Sequence, residues 1–373
     1  MPTPPISDEE LAETLAAYEE ERQEKEYGAA ARAAKRLGIA RQTVNDRVAK
    51  AQSRGLDPAI QNVMDEVGTG MVPSMVWLKS KDHSICLKPP PIEDDTLERI
   101  RGAFEGLTPA PEISAPLYAD EDLLTLYPVS DAHIGLMAWG KETGEDFDTR
   151  AACERLQSWV GQCVKASPGS GVGVVLFNGD TLHADDQQNQ TPGSKHQLDV
   201  DTRHFRTLET SIAAIGSCVE MAAAHHEKVK VRVLPGNHDK TAYMAILFAL
   251  AERYRNSPRI EVPKIPGEFF VFEFGKCMLA AHHGDKARAQ RLVLALADDH
   301  AEMWGRTRHR YLWTGHLHHH KSEDIGGIQW EQLRAVTARD AYAKSHAFTA
   351  RAQLQAVTYH RDKGEVSRVK VSA

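Results

Sequence analysis

Five short apolar runs in the later part of the chain are each followed at once by polar residues that bind metals. The runs are LLTLYPV, GVGVVLF, VKVRVL, CMLAA and YLWTG, and their length is typical of buried strands. The segments that follow them are Asp131-Ala-His133, Gly179-Asp180, Gly236-Asn237-His238-Asp239, His282-His283-Gly284-Asp285 and Gly315-His316-Leu-His318. Parallel strands present their carboxyl ends at one edge of a sheet. The pattern therefore predicts that these residues converge on one site.

The segments between the runs indicate an α/β fold. Residues 149–166 and 204–224 carry Ala, Leu and Ile at helical intervals, so helices alternate with the strands. Two β-prone runs within 69–88 predict a hairpin or a small wing, and a proline-rich stretch around a helix near 95–105 predicts a linker. We expect three parts: a helical module at 1–55, the hairpin and linker at 56–120, and the main domain at 121–373.

The five polar segments, read in order as D-x-H, G-D, G-N-H-D, H and G-H-x-H, resemble the motifs of the calcineurin-like metallophosphoesterase superfamily. The resemblance covers about residues 121–345. It implies an αββα sandwich, in which two sheets are flanked by helices, and a metal-dependent phosphoesterase activity. It also implies a ligand set: Asp131, His133 and His318 for one metal, Asn237, His283 and His316 for the other, and Asp180 as the bridge.

The residue types suit the implied chemistry. Carboxylate oxygen and imidazole nitrogen suit Mn, Fe, Zn or Ni, and the resemblance favours two Mn ions, with Mg as a further alternative. Such a pair lowers the pKa of a bridging water, and the resulting hydroxide attacks the phosphate ester. His238 would lie outside the metals, where, oriented by Asp239, it would protonate the leaving oxygen. The glycines beside the ligands predict tight turns and close backbone approach to a phosphate. They are Gly179, Gly236, Gly284 and Gly315.

Other polar residues of the main domain allow two interpretations. His183 stands three residues after Asp180, where many members of the superfamily carry an Asp, and we expect it to contact a metal ligand or the substrate. The segment from Asp185 to Arg206 either covers the cleft or is a plain surface loop. The remaining histidines are expected outside the metal shell, solvated or supporting it. They are His225, His226, His282, His319 and His320.

The N-terminal part has an uneven charge. Residues 1–26 hold nine acidic and two basic side chains, whereas 27–55 hold seven basic side chains and Asp46 alone as an acid. Ser7 and Glu10 predict a capping box, and residues 29–53 read as helix, turn at Gly38, helix. One interpretation is a DNA-binding helix-turn-helix whose second helix presents basic and amide side chains to a major groove. They are Arg41, Gln42, Asn45, Arg47 and Lys50. The alternative is a small bundle for self-association.

The features together predict a dinuclear metal-dependent phosphodiesterase or nuclease with DNA as its partner. The alternatives are a phosphomonoesterase, a cyclic-nucleotide phosphodiesterase, a protein phosphatase, or a DNA-binding sensor whose phosphoesterase domain does not turn over. A homo-oligomer stays open, and any ATPase partner would be a separate chain, since no Walker motif is present. A helix-turn-helix joined to a phosphoesterase looks like proteins encoded by bacteriophages.

Composition predicts the compartment. The net charge of −7 argues against nucleic-acid binding by the whole surface. The five cysteines are scattered, and no secretory signal or apolar span is present, so a cytoplasmic protein is expected, in the host cytoplasm for a phage protein.

Overall fold

The computed structural model describes residues 6–25, 27–53 and 112–373, and the backbone of 76–79 and 84–87. The described residues belong to two compact units, one within Met1–Asp94 and one within Asp95–Ala373. The helix predicted near 95–105 lies outside the described residues.

The first unit contains three helices around a small apolar core. They are α1 (Asp8–Glu24), α2 (Ala29–Leu37) and α3 (Arg41–Ser53). The predicted capping box is confirmed: Ser7 Oγ accepts the N–H of Glu10, and the Glu10 carboxylate accepts the N–H of Ser7. The turn at Gly38 is also confirmed, with a φ of 67°. The buried core residues are Leu11, Leu15, Ala33, Ala34, Val44, Val48 and Ala51.

The acidic helix α1 neutralises part of the basic segment that follows it. Arg32 Nε lies 2.8 Å from Glu21, and Arg36 Nη1 lies 2.6 Å from Glu20. Ion pairs at the surface contribute little to stability, because water and salt screen them. Their main effect is on charge, because two of the three basic side chains of α2 are paired with acids of α1.

Two strands, β1 (Val76–Lys79) and β2 (Ser84–Leu87), pair in antiparallel register within the range where the sequence predicts a hairpin.

The second unit alternates strands and helices along most of its length. Its strands are β3 (Asp120–Val129), β4 (Ser170–Asn178), β5 (Lys228–Leu234), β6 (Ile260–Glu261), β7 (Phe270–Phe274), β8 (Cys277–Ala281), β9 (His309–Thr314), β10 (Lys321–Ile325), β11 (Ile328–Gln332), β12 (Gln353–His360) and β13 (Gly364–Ser372). Its helices are α4 (Gly140–Thr143), α5 (Thr149–Ala166), α6 (His204–His225), α7 (Tyr243–Arg253), α8 (Ala289–Asp299), α9 (Ala301–Arg306) and α10 (Ala341–Ser345). The two helices predicted at 149–166 and 204–224 are thus confirmed. Across the described residues, no helix combines the length and the apolar character that a membrane span requires.

The strands form two mixed sheets. The larger has the order β13-β12-β3-β4-β5-β6, in which β3, β4, β5 and β6 run parallel. The smaller has the order β10-β11-β9-β8-β7, in which β8, β9 and β11 run parallel. The five apolar runs of the sequence are β3, β4, β5, β8 and β9, which are the parallel strands at or near the centre of each sheet.

The sheets pack face to face, and helices cover their outer faces. Alternate residues of β4 divide between two cores: Val174 and Leu176 face the other sheet, while Val175 and Phe177 face the helices. Helix α8 covers the smaller sheet through Leu292. Strands buried on both faces read as continuous apolar runs, which explains the sequence pattern. The predicted αββα sandwich is confirmed.

Candidate metal centre

The polar segments of the sequence leave the strands at one end of both sheets. Each first ligand follows the last residue of its strand by two or three positions. They are Asp131 after β3, Asp180 after β4, Asn237 after β5, His283 after β8 and His316 after β9. The larger sheet therefore supplies three of these segments and the smaller sheet two. Convergence from both sheets places the site across the carboxyl edge of the sandwich.

Six of the seven predicted ligands form two compact groups, and the seventh joins one of them. The first group is Asp131, His133 and His318, and the second is Asp180, His283 and His316; within each, the donor atoms lie within 4.8 Å of one another. Asn237 joins the second group, because its Oδ1 lies 3.2 Å from His283 Nε2. The structure therefore brings the whole predicted ligand set together.

Asp180 lies between the two groups. Its Oδ2 is 3.1 Å from His283 Nε2, in the second group, and 3.9 Å from His133 Nε2, in the first. This is the position that a bridging carboxylate requires. The Asp180 residue is 1% exposed, so solvent does little to screen its charge.

The donor set fits divalent cations. His133 Nε2 and His318 Nε2 face each other at 3.2 Å, and His318 Nε2 lies 3.2 Å from Asp131 Oδ1. Lone pairs of neighbouring imidazoles repel at this distance unless a proton or a metal ion lies among them. Nitrogen and oxygen donors without a thiolate suit Mn, Fe, Zn or Ni.

Five of the ligands occupy the left-handed region of backbone conformation. Positive φ is uncommon outside glycine, and it is retained where the surrounding structure enforces it, often at functional sites. The residues and their φ values are Asp131 (52°), His133 (42°), Asp180 (48°), His316 (70°) and His318 (58°). The loops thus turn sharply beyond the strand ends and direct the ligands inward.

Hydrogen bonds between the loops hold this arrangement. The His133 N–H donates to the Asp180 carbonyl at 3.0 Å, and the His238 N–H donates to Asp180 Oδ1 at 2.8 Å. The His316 N–H donates to the Asp131 carboxylate at 3.1 Å. Each loop is therefore positioned by its neighbours, and the ligands are preorganised.

Two further contacts orient ligands directly. His283 Nδ1 lies 2.9 Å from the Asn178 carbonyl, and donation of its N–H there leaves Nε2 free for a metal. Ser130 Oγ donates to Asp131 Oδ2 at 2.5 Å. Ser130 is not among the residues predicted from the sequence, and its position just before the D-x-H motif was the available signal.

The glycines of the motifs make room for ligand side chains. A Cβ on Gly236 would lie 2.0 Å from Asp180 Oδ1, and one on Gly315 would lie 2.5 Å from Asp131 Oδ2. A Cβ on Gly179 would lie 2.5 Å from His283 Nδ1. At these positions the sequence predicts close approach to a phosphate. The close approach that the structure contains is between the backbone and the ligands themselves.

Asp239 differs from its expected role. Its buried carboxylate accepts the backbone N–H groups of Gly236, Asp180, Thr181 and Leu182, at 2.8 to 3.2 Å. It joins two ligand loops and does not orient the His238 ring. We therefore correct its assignment as a catalytic residue to that of a positioning residue. The physical reason is that four amide donors surround the carboxylate.

The ring of His238 is oriented by the main chain of another loop. His238 Nδ1 lies 2.8 Å from the His183 carbonyl, which accepts its N–H. The other ring nitrogen, Nε2, is not used in this hydrogen bond. The two rings stack, with centroids 5.4 Å apart. His183 is 2% exposed, and its Nδ1 lies 3.4 Å from His133 Nδ1. The expected contact of His183 with a metal ligand is thus present.

Charge and burial set the protonation states in the centre. Burial, with the charge of His238 next, lowers the pKa of His183 to about 3 and that of His133 well below its usual value. Burial alone would raise the pKa of Asp180, but His283 and the other nearby histidines hold it well below its usual value. These groups therefore offer imidazole lone pairs and an anionic carboxylate.

The pKa of His283 shifts in the opposite direction to those of His133 and His183. Burial opposes its charge, but Asp180 outweighs burial and raises the pKa of His283 to about 10. A metal ligand must give up this proton, so metal binding should release it to solvent.

The other histidines near the motifs point elsewhere, as expected. His282 Nε2 lies 3.5 Å from Glu268, and His320 Nε2 lies 3.3 Å from Glu331. His319 is exposed and contacts the Leu317 carbonyl.

The long segment from Asp185 to Arg206 is tied to the centre at both ends. Asp185 Oδ1 accepts the N–H groups of Thr241 and Ala242 at 2.7 Å, just after the His238 loop. At its other end, Leu136 bridges Val200, close to the His133 loop. The segment therefore spans from one ligand loop to another.

The predicted DNA-contacting residues lie on α3 of the first unit. Arg41, Gln42, Asn45 and Lys50 are exposed and Arg47 is half-buried, while Val44 and Val48 face the core. Gln42 Nε2 donates to Asp46 Oδ1 at 3.1 Å. The five side chains are thus on or beside the outer side of α3.

No model of a protein family matches the chain, and no curated protein matches it. Solved structures do. One is described as a predicted phosphoesterase from Streptococcus pneumoniae, with 13% identity, a TM-score of 0.28 and coverage of 67% of this chain and 98% of its own. Another is an archaeal phosphodiesterase, with 10% identity, a TM-score of 0.35 and coverage of 67% and 99%. A third is the phosphopantetheinyl hydrolase of Mycobacterium tuberculosis, with 12% identity, a TM-score of 0.27 and coverage of 61% and 93%. The TM-scores are low, so the function of this chain must be argued from its own residues.

Proposed function

We propose that the chain is a metal-dependent phosphodiesterase that hydrolyses nucleic acid. The observation that carries this proposal is the position of Asp180 between two groups of ligands, each built from nitrogen and oxygen donors. A pair of divalent ions held there, with Mn first among the candidates, would lower the pKa of a shared water and neutralise the phosphate oxygens.

The residues of the chain would contribute binding and orientation. Asp131, His133 and His318 would hold one ion, and Asn237, His283 and His316 would hold the other. Because their loops are hydrogen-bonded to one another, the ligands need little rearrangement when the ions bind. Asp239 and Ser130 would keep the carboxylates Asp180 and Asp131 in place.

His238 is the proposed proton donor to the leaving oxygen. Its Nδ1 is engaged by the His183 carbonyl, so Nε2 is the atom that would carry the transferred proton. The ring lies against His133, with centroids 4.6 Å apart. The leaving oxygen of a bound ester would have to be protonated beside the metal ligands, and the His238 ring lies there.

Nucleic acid as the substrate class is supported by the first unit. Helix α3 presents Arg41, Asn45 and Lys50 on its exposed side, and Arg41 and Arg47 have no salt bridge within the described part of the chain. Arg, Lys and amide side chains are those that contact phosphates and base edges. DNA bound by α3 would raise the local concentration of phosphodiester substrate.

The test is hydrolysis by metal-stripped protein after Mn, Mg, Zn or Ni is added back. The substrates are bis-p-nitrophenyl phosphate, p-nitrophenyl phosphate and labelled DNA. We expect Mn to restore cleavage of the diester and of DNA. Activity on the monoester alone would indicate a phosphomonoesterase, and no activity on any substrate would indicate a sensor.

The matched control is Asp180→Asn, which keeps the shape of the side chain and removes its charge. We expect metal-dependent turnover to fall at least about 100-fold, because the bridge between the two ions is lost. Circular dichroism should show an unchanged fold. Normal turnover by this variant would exclude the dinuclear assignment.

A further inference from the structure

Four aromatic side chains form an exposed cluster on the second unit. They are His196, Tyr342, His346 and Phe348, together termed the ring cluster. The Tyr342 and His346 centroids lie 4.1 Å apart, those of His196 and Tyr342 5.2 Å, and those of His346 and Phe348 5.8 Å. Tyr342 is 48% exposed and Phe348 54%. Apolar ring faces left in water are unfavourable unless a partner covers them.

The ring cluster lies on segments that start at the metal ligands. His196 belongs to the long segment after Asp180, which returns to the His133 loop where the Met137 N–H donates to the Asp199 carbonyl. The other three rings follow Thr337, whose N–H donates to the Asp131 carbonyl at 3.2 Å. The rings therefore stand on the same side of the sandwich as the candidate metal centre.

Three cations accompany the rings. Lys195 precedes His196, Lys344 lies on α10 between Tyr342 and His346, and Arg339 Nη1 donates to the Phe348 carbonyl at 3.3 Å. None of these three cations forms a salt bridge with another described residue. Cations without a salt bridge, adjacent in sequence or hydrogen-bonded to the residues that carry the exposed rings, match a partner that carries both negative charge and flat apolar faces.

A cavity of about 560 Å³ adjoins the ring cluster through Ala341. Trp139, 55% exposed, lies on its wall, with Lys141 Nζ 5.3 Å from the ring centroid. Carboxylates also line the cavity, among them Glu142 and Asp199. Carboxylates accept hydrogen bonds from the amino groups of bases and repel phosphates. The cavity therefore suits a base, and the cations beside the rings suit its phosphates.

We propose that the ring cluster is a stacking platform for the bases of single-stranded nucleic acid, which leads a strand to the metal centre. The inference rests on the proposed function and names its substrate class. In a duplex the base faces are already stacked on one another, so exposed protein rings reach them only in single strands, loops or ends. Stacking tolerates any base, so the platform should show little sequence preference.

The test measures affinity for a short fluorescent single strand with phosphorothioate linkages, using the Mn-loaded full-length protein. Excess unlabelled duplex DNA is present, so that α3 does not contribute to the signal. We expect Tyr342→Ala and Phe348→Ala each to weaken binding about tenfold, as loss of one stacked ring does. Tyr342→Phe keeps the ring and should retain the affinity.

Phe248→Ala is the matched control, because Phe248 is also exposed, at 41%, but lies on α7 outside the ring cluster. Unchanged affinity in the Tyr342 and Phe348 variants, or an equal loss in Phe248→Ala, would overturn the proposal. A change in sedimentation of the Tyr342 variant, with unchanged affinity, would assign the rings to contact with a second copy of the chain and also overturn the proposal.

Hydrolysis of methyl p-nitrophenyl phosphate is measured in parallel. Its absence in the unmodified protein rejects the proposed function, whereas its presence, together with unchanged affinity of the ring variants for the single strand, rejects the platform alone.

Discussion

Two buried carboxylates on neighbouring loops, Asp180 and Asp239, have different roles because they have different hydrogen-bonding and charged partners. Asp180 faces histidines, and the charge of His283 counters its burial and keeps its pKa low. Asp239 faces backbone amides; burial, followed by repulsion from Asp180, raises its pKa to about 7. In the sequence Asp180 follows a glycine and Asp239 follows a histidine, in motifs of similar appearance. The sequence predicts where they lie but not what surrounds them, because the amide cluster is assembled by two loops.

His238, the proposed proton donor, gives the first prediction at the scale of single residues. His238→Ala should slow turnover roughly 100-fold or more for esters with alkyl leaving groups, since general acids contribute about that much. The effect should be smaller for p-nitrophenolate, which leaves without a proton. The measurements are kcat for both ester types and metal content by mass spectrometry. A variant that loses a metal ion would show that His238 is a ligand.

Gly236, which lies beside Asp180, gives the second prediction. Gly236→Ala would place a Cβ 2.0 Å from Asp180 Oδ1 and so displace the carboxylate that we propose as the bridge. A misplacement of about 1 Å costs on the order of 100-fold in rate, so kcat should fall by that factor. Gly193→Ala is the control, because its Cβ would meet nothing closer than Lys240 Nζ at 3.8 Å. Equal rates for the two variants would refute the explanation.

At the scale of helices and strands, burial decides what the sequence reveals. The central strands β3, β4 and β8 are buried on both faces, and their apolar runs predict them correctly. Strand β10, by contrast, has the sequence KSEDI and lies at an exposed sheet edge. Its polar residues carry no strand pattern, so the edge could not be found. The ring cluster was missed as well, since its members come from two segments distant in sequence.

A buried histidine joins three elements at the end of the sandwich opposite the metal centre. His226 follows α6, its Nε2 lies 2.7 Å from the Tyr127 hydroxyl in β3, and its Nδ1 accepts the N–H of Ser170 at the start of β4. Accepting at Nδ1 and donating from Nε2 requires the neutral ring. Burial, with the charge of His225 next, lowers its pKa to about 3.

This histidine predicts acid sensitivity. Between pH 6.5 and about 3 the unfolded chain binds a proton at His226 that the folded chain does not, so its contribution to stability falls as pH falls. The slope is at most about 1.4 kcal/mol of unfolding free energy per pH unit. His226→Gln should have a flatter profile by this amount, measured by urea unfolding across the window. Parallel profiles for the variant and the unmodified protein would contradict the prediction.

At the scale of the whole molecule, the chain contains a helical unit, whose acidic first helix is followed by two basic helices, and a sandwich with a candidate metal centre. The helices of the first unit and the central strands of the second could be predicted, because capping residues, apolar periodicity and ligand motifs are local features of the sequence. Whether α3 binds DNA stays a prediction, since exposed Arg, Asn and Lys side chains occur on many solvated helices.

Deletion of residues 1–55 tests that prediction. DNA affinity should fall, and its dependence on salt should become shallower, because fewer phosphate contacts release fewer counterions. Turnover of a small chromogenic diester should change little. The measurements are fluorescence anisotropy over a salt series and steady-state kinetics. Unchanged DNA affinity would assign the first unit to self-association.

The position of the ligands beyond the strand ends has a consequence for how such a protein can evolve. Loops at the edge of the sandwich carry the candidate metal ligands, while the cores that hold the sheets together are formed mainly by residues within the strands and helices, joined by a few loop residues such as Ala132, Ile134 and Leu182. The candidate ligands and most core residues are therefore separate sets. A lineage could exchange or lose its ligands one loop at a time and keep the same scaffold, free to serve as a surface for recognition alone.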